Sequence, residues 1–289
     1  GLGVAIFAVT GLIPAMLYDY LTIKFVGILA SLNFAGYLSG SIFSIFVKDI
    51  NFKVYLYRFG IFLAISTTFI LAYSDNNTLW MIGRVLAGFA GAMCLIVGTS
   101  IVMQKLTIKS KTKAMGIHFS GIGFSILTTD LLARFVLSLN YTWRDSWAVL
   151  AVFAIILSLY SVYILSFDKE VKQNAVKVKF DISIFTPFVI VLIIAYFTEG
   201  VGFVVQATFL PDIINNLKGL EGYGSLTWTL VGVAGIPSCI IWMLLAHRFG
   251  SSNIIIIALL LQAVGILIPA FSSNIYLNLL SGGLYGGTF

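Results

Sequence analysis

The sequence predicts an all-α polytopic membrane protein, and three observations carry that prediction. Hydrophobic residues make up 60% of the 289-residue chain and charged residues only 10%, against about 25% charged in an average soluble domain. Apolar runs of bilayer-crossing length recur from one end to the other, divided by polar loops. The basic residues are also sorted, with twelve of the 17 lysines and arginines falling in every second loop. That sorting is a topology signal and not a nucleic-acid stripe, although the formal net charge is +6. Mean hydropathy is +1.03, and the 27 glycines suit close packing of membrane helices.

The apolar runs give nine spans and the start of a tenth: 1–18, 26–47, 59–74, 80–103, 114–137, 147–167, 184–209, 226–247, 253–272 and 274 onward. Span 1 is expected to end near Pro14 and span 7 near Pro211, in the similar contexts LIPAM and FLPDI. Span 2 carries a small, polar stripe of Asn33, Gly36, Tyr37, Gly40 and Ser44. Span 4 is apolar except for Arg84, which shares a helix face with Gly88, Gly91 and Gly98. A guanidinium facing lipid at the helix centre costs at least about 2.5 kcal/mol, so Arg84 is expected to face protein or a water-filled cavity. Span 5 holds His118, Asp130 and Arg134, the last two spaced to pair on one helix surface. Span 7 groups Tyr196, Gly202, Phe203 and Gln206 around Glu199, and span 9 carries Gln262, Gly265 and a kinking Pro269.

Orientation follows from the basic residues. Lys48, Lys53 and Arg58 follow span 2, four lysines at 105, 109, 111 and 113 follow span 4, four at 169, 172, 177 and 179 follow span 6, and Arg248 follows span 8. The opposite loops hold only Lys24, Arg144 and Lys218, which places the N-terminus in the cytoplasm. The longest polar segment, 168–183, comes after six spans and divides the chain into 1–167, a central cytoplasmic loop and 184–289. Across that break Pro14 and Pro211, Gly27 and Gly224, and Gly3 and Gly200 repeat at an offset of 197, while Arg84–Gly88 is echoed by Asn278–Gly282 at 194. Internal repeats of this kind mark transporters that alternate access around a central site. Because the chain opens on Gly1 and closes on Phe289 inside apolar segments, it reads as part of a longer protein.

These stretches resemble the major facilitator superfamily, and more narrowly its YbfB/YjiJ branch. The resemblance lies in FAVTGLIP (7–14), GILASLNFAGYLSG (27–40), RVLAGFAGA (84–92), GIHFSGIGFSI (116–126), EGVGFVVQATFLP (199–211), LVGVAGIPSC (230–239), LAHRFG (245–250), QAVGILIPA (262–270) and SGGLYGGTF (281–289). It implies a major facilitator fold of two six-helix bundles, the second incomplete here. It also implies a proton-coupling role for the Arg84–Gly88 pattern and a cytoplasmic gating loop at His247, Arg248 and Gly250. His247 stands where that motif usually has aspartate, and the first copy after span 2 is eroded. Span 5 lacks the antiporter-type proline, and Ile6 stands where related chains carry arginine.

Five ionisable residues inside spans are candidates for coupling or substrate binding: Arg84, His118, Asp130, Arg134 and Glu199. Arg84 and Glu199 fall at similar depth, so a Glu199 alternating between apolar surroundings and Arg84 would take up and release a proton. Asp130–Arg134 equally fits a structural ion pair, and His118 either a proton relay or a packing residue. Asn33, Tyr37, Tyr196 and Gln206 are candidates to line a cavity. No metal ligands at usable spacing, nucleophile–base pair or phosphate-binding glycine loop is visible, and Cys94 and Cys239 lie in different spans as free thiols. The N-x-T triplets at Asn76 and Asn140 fall in outer loops. The sequence thus reads as a monomeric, non-enzymatic secondary transporter of a bacterial inner membrane, without cofactor, with a proton as coupling ion and a small organic solute as substrate. The alternatives are a membrane sensor or channel and a polytopic membrane enzyme on lipid-linked substrates.

Overall fold

The computed structural model describes residues 7–17, 19–105, 108–164 and 182–288, with the backbone alone at 105, 108–113, 164 and 182. Among the described residues ten α-helices follow in order, with one 3-10 turn at Ile182–Ile184: α1 (Ala8–Leu17), α2 (Ile23–Ile45), α3 (Ile50–Tyr73), α4, α5 (Ile108–Ser138), α6 (Trp143–Ile164), α7 (Pro187–Asn215), α8 (Gly224–Phe249), α9 (Ser251–Phe271) and α10 (Ile275–Gly287). Helix α4 runs from Asn77 to Ala92, passes through a π-helical turn at Met93–Val97 and continues over Gly98–Lys105. Eight of the ten are long and apolar enough to cross a bilayer. No strand occurs among the described residues.

Side-chain caps set most of the starts. Thr22 accepts from the Phe25 N–H, Asp49 from Phe52, Thr186 from Val189 and Asn76 from Thr78 and Leu79. The Asp49 cap starts α3 nine residues before the expected 59, so Lys53 and Arg58 belong to a helix and not to a loop. Both still bond at that end of the bundle: Lys53 Nζ donates to Ser100 Oγ at 2.8 Å and Arg58 to the Val162 carbonyl at 3.1 Å. Asn76 and Asn140 have backbone duties, since Asn76 caps α4 and Asn140 adopts φ 62° in the α5–α6 turn. The central loop 168–183 lies outside the described residues apart from Ile182 and Ser183, as do Gly3, Ile6, and the side chains of the lysines at 105, 109, 111, 113, 169, 172, 177 and 179.

The prolines do not end their helices. Pro14 and Pro211 both lie inside, α1 continuing to Leu17 and α7 to Asn215. Proline lacks the N–H that would reach back to the carbonyl four residues earlier, and in a membrane that carbonyl needs another donor. Thr10 Oγ1 of α1 donates to the Ala207 carbonyl, the one that Pro211 leaves unfilled. Pro269 treats Gly265 in the same way, and Ser281 Oγ of α10 donates to that carbonyl at 2.6 Å.

The loops α1–α2, α3–α4 and α5–α6 gather at one end. There the Tyr20 hydroxyl donates to Asp75 O and Asn77 Oδ1, each at 2.8 Å, Trp143 Nε1 donates to Asp19, and Arg144 pairs with Asp75. Burial, aided by Asp75, pushes the Tyr20 hydroxyl above the usual phenol range, which keeps it a donor. Beneath this cluster Leu12, Met16, Trp80, Trp147 and Leu150 form one core, and Phe7 and Ile126 join Leu210, Trp228, Val231 and Tyr285 in another.

The caps of α4 and α10 fix an internal register. Asn76 and Asn274 cap with the same pattern, and Trp80 Nε1 and Asn278 Nδ2 each reach the serine carbonyl that precedes the cap, Ser74 or Ser272. The offset between the two caps is therefore 198, not the 194 expected from Arg84 and Asn278, and Arg84 corresponds to Gly282. The shorter offset followed a shared glycine pattern, whereas the caps pin the helix starts.

Candidate functional site

The site is built where α1, α2 and α4 meet α7. The small-residue face of α4 presses on α2 so closely that a Cβ on Gly88 would lie 1.8 Å from Asn33 O, and one on Gly36 would lie 2.0 Å from Val85 O. Only glycine allows that approach. Asn33, fully buried, donates from Nδ2 to the Arg84 carbonyl at 3.0 Å. The same packing turns Arg84 inward, leaving it 3% exposed. It lines a crevice of about 10 Å³ together with Asn33, Thr10 of α1, and Ala207 and Thr208 of α7. A volume near 10–15 Å³ is about the smallest that holds a water.

A second contact lies at matching depth between α5 and α8. Asp130 Oδ2 accepts from Arg134 at 3.1 Å and from Thr229 Oγ1 at 2.7 Å, and Arg134 Nη2 is 2.6 Å from the same Thr229 oxygen. Sequence spacing found the ion pair; Thr229 adds a bridge to α8. Asp130 is 2% exposed, and among the described residues no donor reaches its Oδ1 and no acceptor reaches the buried Trp228 Nε1. Both groups flank Gly11 of α1, whose Cβ would lie 3.3 Å from Asp130 Oδ1 and 3.7 Å from the Trp228 ring. Along the rest of this seam a Cβ on Gly123 would lie 2.3 Å from the Gly235 backbone, and one on Gly232 would lie 2.6 Å from Leu127 N.

Several sequence expectations do not hold at these positions. Glu199, expected to alternate between apolar surroundings and Arg84, is apart from Arg84 in this state: it is half-buried and accepts from Gln262 Nε2 of α9 at 3.1 Å. Helical periodicity gives the reason. Glu199 and Gln206, seven residues apart, share one face of α7, and that face packs on α9, whereas Ala207 faces α1. Gln206 accordingly donates to Ile266 O at 3.3 Å and does not line the crevice. Tyr196 is 54% exposed on α7, away from the crevice, and Tyr37 packs within α2–α4 beside Phe89 and Ile96. Asn33 is the one cavity candidate that does line it. His118 stands apart, its Nε2 3.1 Å from Thr99 Oγ1 on α4. His247 and Arg248 sit exposed in the last turn of α8 and not in a loop; only Gly250, at φ 88°, makes the turn that follows.

Thr10, Ala207, Thr229 and Trp228 went unnoticed in the sequence. A signal for the first pair was present, because Thr10 and Ala207 each stand four residues before a proline and are 197 apart.

Comparison with known proteins agrees with this architecture. The TsgA homolog of Buchnera aphidicola subsp. Baizongia pistaciae (strain Bp) is 24% identical over 161 residues, 55% of this chain and 41% of that relative. The chain thus spans about two fifths of the length of that relative. A bacterial homolog of the human lysosomal transporter Spinster, in an inward-facing and occupied conformation, aligns over 99% of this chain and 69% of its own at a TM-score of 0.64 and 14% identity. The nucleoside transporter NupG aligns over 100% and 76%, at 0.62 and 14%. At that identity the two structures show a shared fold. Residues 1–289 match throughout the family described as uncharacterised MFS-type transporter YbfB. The chain belongs to that family of the major facilitator type, and its recurrent long apolar helices make it a multi-pass membrane protein.

Proposed function

We propose that this protein is a secondary active transporter that carries a small organic solute by alternating access, coupled to proton movement across a bacterial inner membrane. In this reading residues 1–167 and 184–289 are two halves that rock about a site between them, joined by the cytoplasmic segment 168–183, and no cofactor is needed. The N-terminus is cytoplasmic in this reading, on the strength of the twelve basic residues that gather in or beside every second connection between spans. The observation that carries the proposal is Arg84, a buried cation in the crevice where α1, α2 and α4 meet α7. A guanidinium held there suits a solute bearing a carboxylate or similar anionic group, which it can clamp with paired N–H donors.

The coupling carboxylate in this reading is Asp130. Thr229 and Trp228 sit on α8, Gly11 on α1 and Arg134 on its own helix, and among the described residues no other charged side chain is within bonding reach. When the halves part here, α8 takes the Thr229 donor away while water reaches Asp130. A carboxylate whose donors and hydration change together binds a proton differently in the two states. Glu199 is the competing candidate, but its bond to Gln262 stays within α7–α9 and is not broken when the halves part.

The test is solute-driven proton movement in vesicles holding the full-length protein, read by an internal pH dye across a panel of small organic acids. Arg84→Ala is expected to cut solute flux tenfold or more, equivalent to about 1.4 kcal/mol. Asp130→Asn is expected to leave solute exchange but abolish the pH change, while Glu199→Gln keeps both. A pH change that survives Asp130→Asn and disappears in Glu199→Gln overturns the assignment to Asp130. Solute flux indifferent to a proton gradient overturns coupling altogether.

A further inference from the structure

Helices α3, α4, α5 and α6 line a second, half-open cavity of about 220 Å³, separate from the Arg84 crevice. At roughly 30 Å³ per molecule it has room for about seven waters, or for one small organic molecule. Its polar lining is Tyr57 of α3, Cys94 of α4, His118 and Ser125 of α5, and Ser158 and Ser161 of α6. Among the described residues no lysine, arginine, aspartate or glutamate lines it. The hydroxyl protons are mostly committed: Ser125 donates to the Ile122 carbonyl at 2.7 Å and Ser158 to Ile155 at 2.8 Å, while Tyr57 and Ser161 share one bond of 3.1 Å. A hydroxyl that has donated still offers lone pairs, so this wall is rich in acceptors.

The wall is also built at some cost to helix regularity. The π turn of α4 at Met93–Val97 inserts where Cys94 and Leu95 face the cavity. Such turns interrupt the regular hydrogen-bond ladder and concentrate at functional positions. One residue beyond the turn, a Cβ on Gly98 would lie 3.0 Å from the Tyr57 ring, so glycine there lets the ring take its place in the wall. On the facing helix Gly121 has open space, with nothing within 4 Å of a Cβ position.

We infer that the cavity between α3 and α6 is a binding site for a small uncharged polyhydroxyl molecule, held by the Tyr57, Ser125, Ser158 and His118 side chains. An ion is disfavoured because no lining carboxylate or fixed cation would replace its hydration. A polyol supplies donors to these acceptors and can accept the one hydroxyl proton that the Tyr57–Ser161 pair leaves uncommitted. The site differs from the Arg84 crevice in place and in charge, so it stands whether or not the coupling assignment to Asp130 does.

The experiment measures equilibrium binding of radiolabelled erythritol and xylitol to the full-length protein in lipid nanodiscs. Alongside it runs the rate of Cys94 modification by a small thiol reagent in a Cys239→Ser background. Saturable polyol binding and saturable protection of Cys94 are expected together. Gly121→Leu, which fills open space, is expected to weaken both by about tenfold or more while the protein keeps its thermal midpoint. Ser158→Ala, a smaller change, is expected to weaken binding less. Absence of saturable binding, or binding equal in Gly121→Leu and the parent protein, overturns the inference. Protection of Cys94 that rises linearly with polyol and persists in Gly121→Leu also overturns it, as a solvent effect.

Discussion

A single proline in a membrane helix creates a need that another helix can meet, and Thr10 shows how. Pro211 leaves the Ala207 carbonyl without its helical donor, and the Thr10 hydroxyl fills it from α1. Thr10→Val should therefore strand a buried carbonyl and destabilise the folded protein by about 1–3 kcal/mol. Restoring the missing N–H by Pro211→Ala should remove most of that penalty, so the two substitutions together should cost clearly less than their sum. Thermal or denaturant midpoints of the four proteins in one detergent check this, and simple additivity would show that the bond carries no stability. Legibility differed from residue to residue for physical reasons. The Asp130–Arg134 pair was visible because both partners share one helix at a fixed spacing. Thr229, which bridges that pair to α8, comes from 95 residues beyond Arg134 and has no local pattern. The Arg84–Glu199 contact, expected in one of two alternating states, is not made in this one, where Glu199 bonds Gln262, because similar depth says nothing about which face of a helix a residue occupies.

Among helices, glycine placement decides which pairs can lie backbone to backbone. Gly88 against Asn33 O and Gly36 against Val85 O draw α2 and α4 together, and Gly286 against Val231 O does the same for α8 and α10. Position 88 corresponds to 286, and 33 to 231, at the offset of 198 that the Asn76 and Asn274 caps set. Gly88→Ala should push α4 off α2 and misplace Arg84. We expect a loss of at least 1–3 kcal/mol, the usual order for overpacking, and a matching loss of solute flux. Gly121→Ala, a methyl in open space, should leave the thermal midpoint within about 0.5 kcal/mol of the parent. Equal effects of the two alanines on the midpoint would show that helix propensity, not contact, governs both. Span existence was legible here because long apolar runs need no partner to be recognised. Helix starts were less so: α3 begins at an Asp49 cap inside a stretch that charge counting treats as loop. The π turn of α4 carries no mark in composition.

Across the whole molecule, the contacts that join α1 and α5 to α7 and α8 share one depth. Ala207 lies eight residues before the end of α7 and Asp130 eight before the end of α5, about 12 Å in each case at 1.5 Å per residue. Both ends adjoin the same side of the bundle as the Tyr20–Asp75–Arg144 cluster or its counterpart loop after α7. The described contact therefore closes that side. Thr10 and Ala207 add a symmetry argument: they are 197 residues apart, the repeat offset of Pro14 and Pro211, and they touch. Equivalent positions of two repeats can touch only beside the axis that relates the repeats. A rocking motion about a site on that axis must separate them when the closed side opens. Cross-linking tests this directly. With Cys94 and Cys239 replaced by serine, Thr10→Cys and Ala207→Cys should be joined readily by a short bifunctional thiol reagent. The joined protein should lose solute flux and regain it when a cleavable linker is cut. Each single-cysteine protein treated in the same way should keep its flux. Full transport in the joined protein would mean that α1 and α7 move as one body at this point, and the alternating-access reading of the seam would fall. A loss of flux that cleavage does not restore would count against it as well, because the reagent and not the bond would then be responsible.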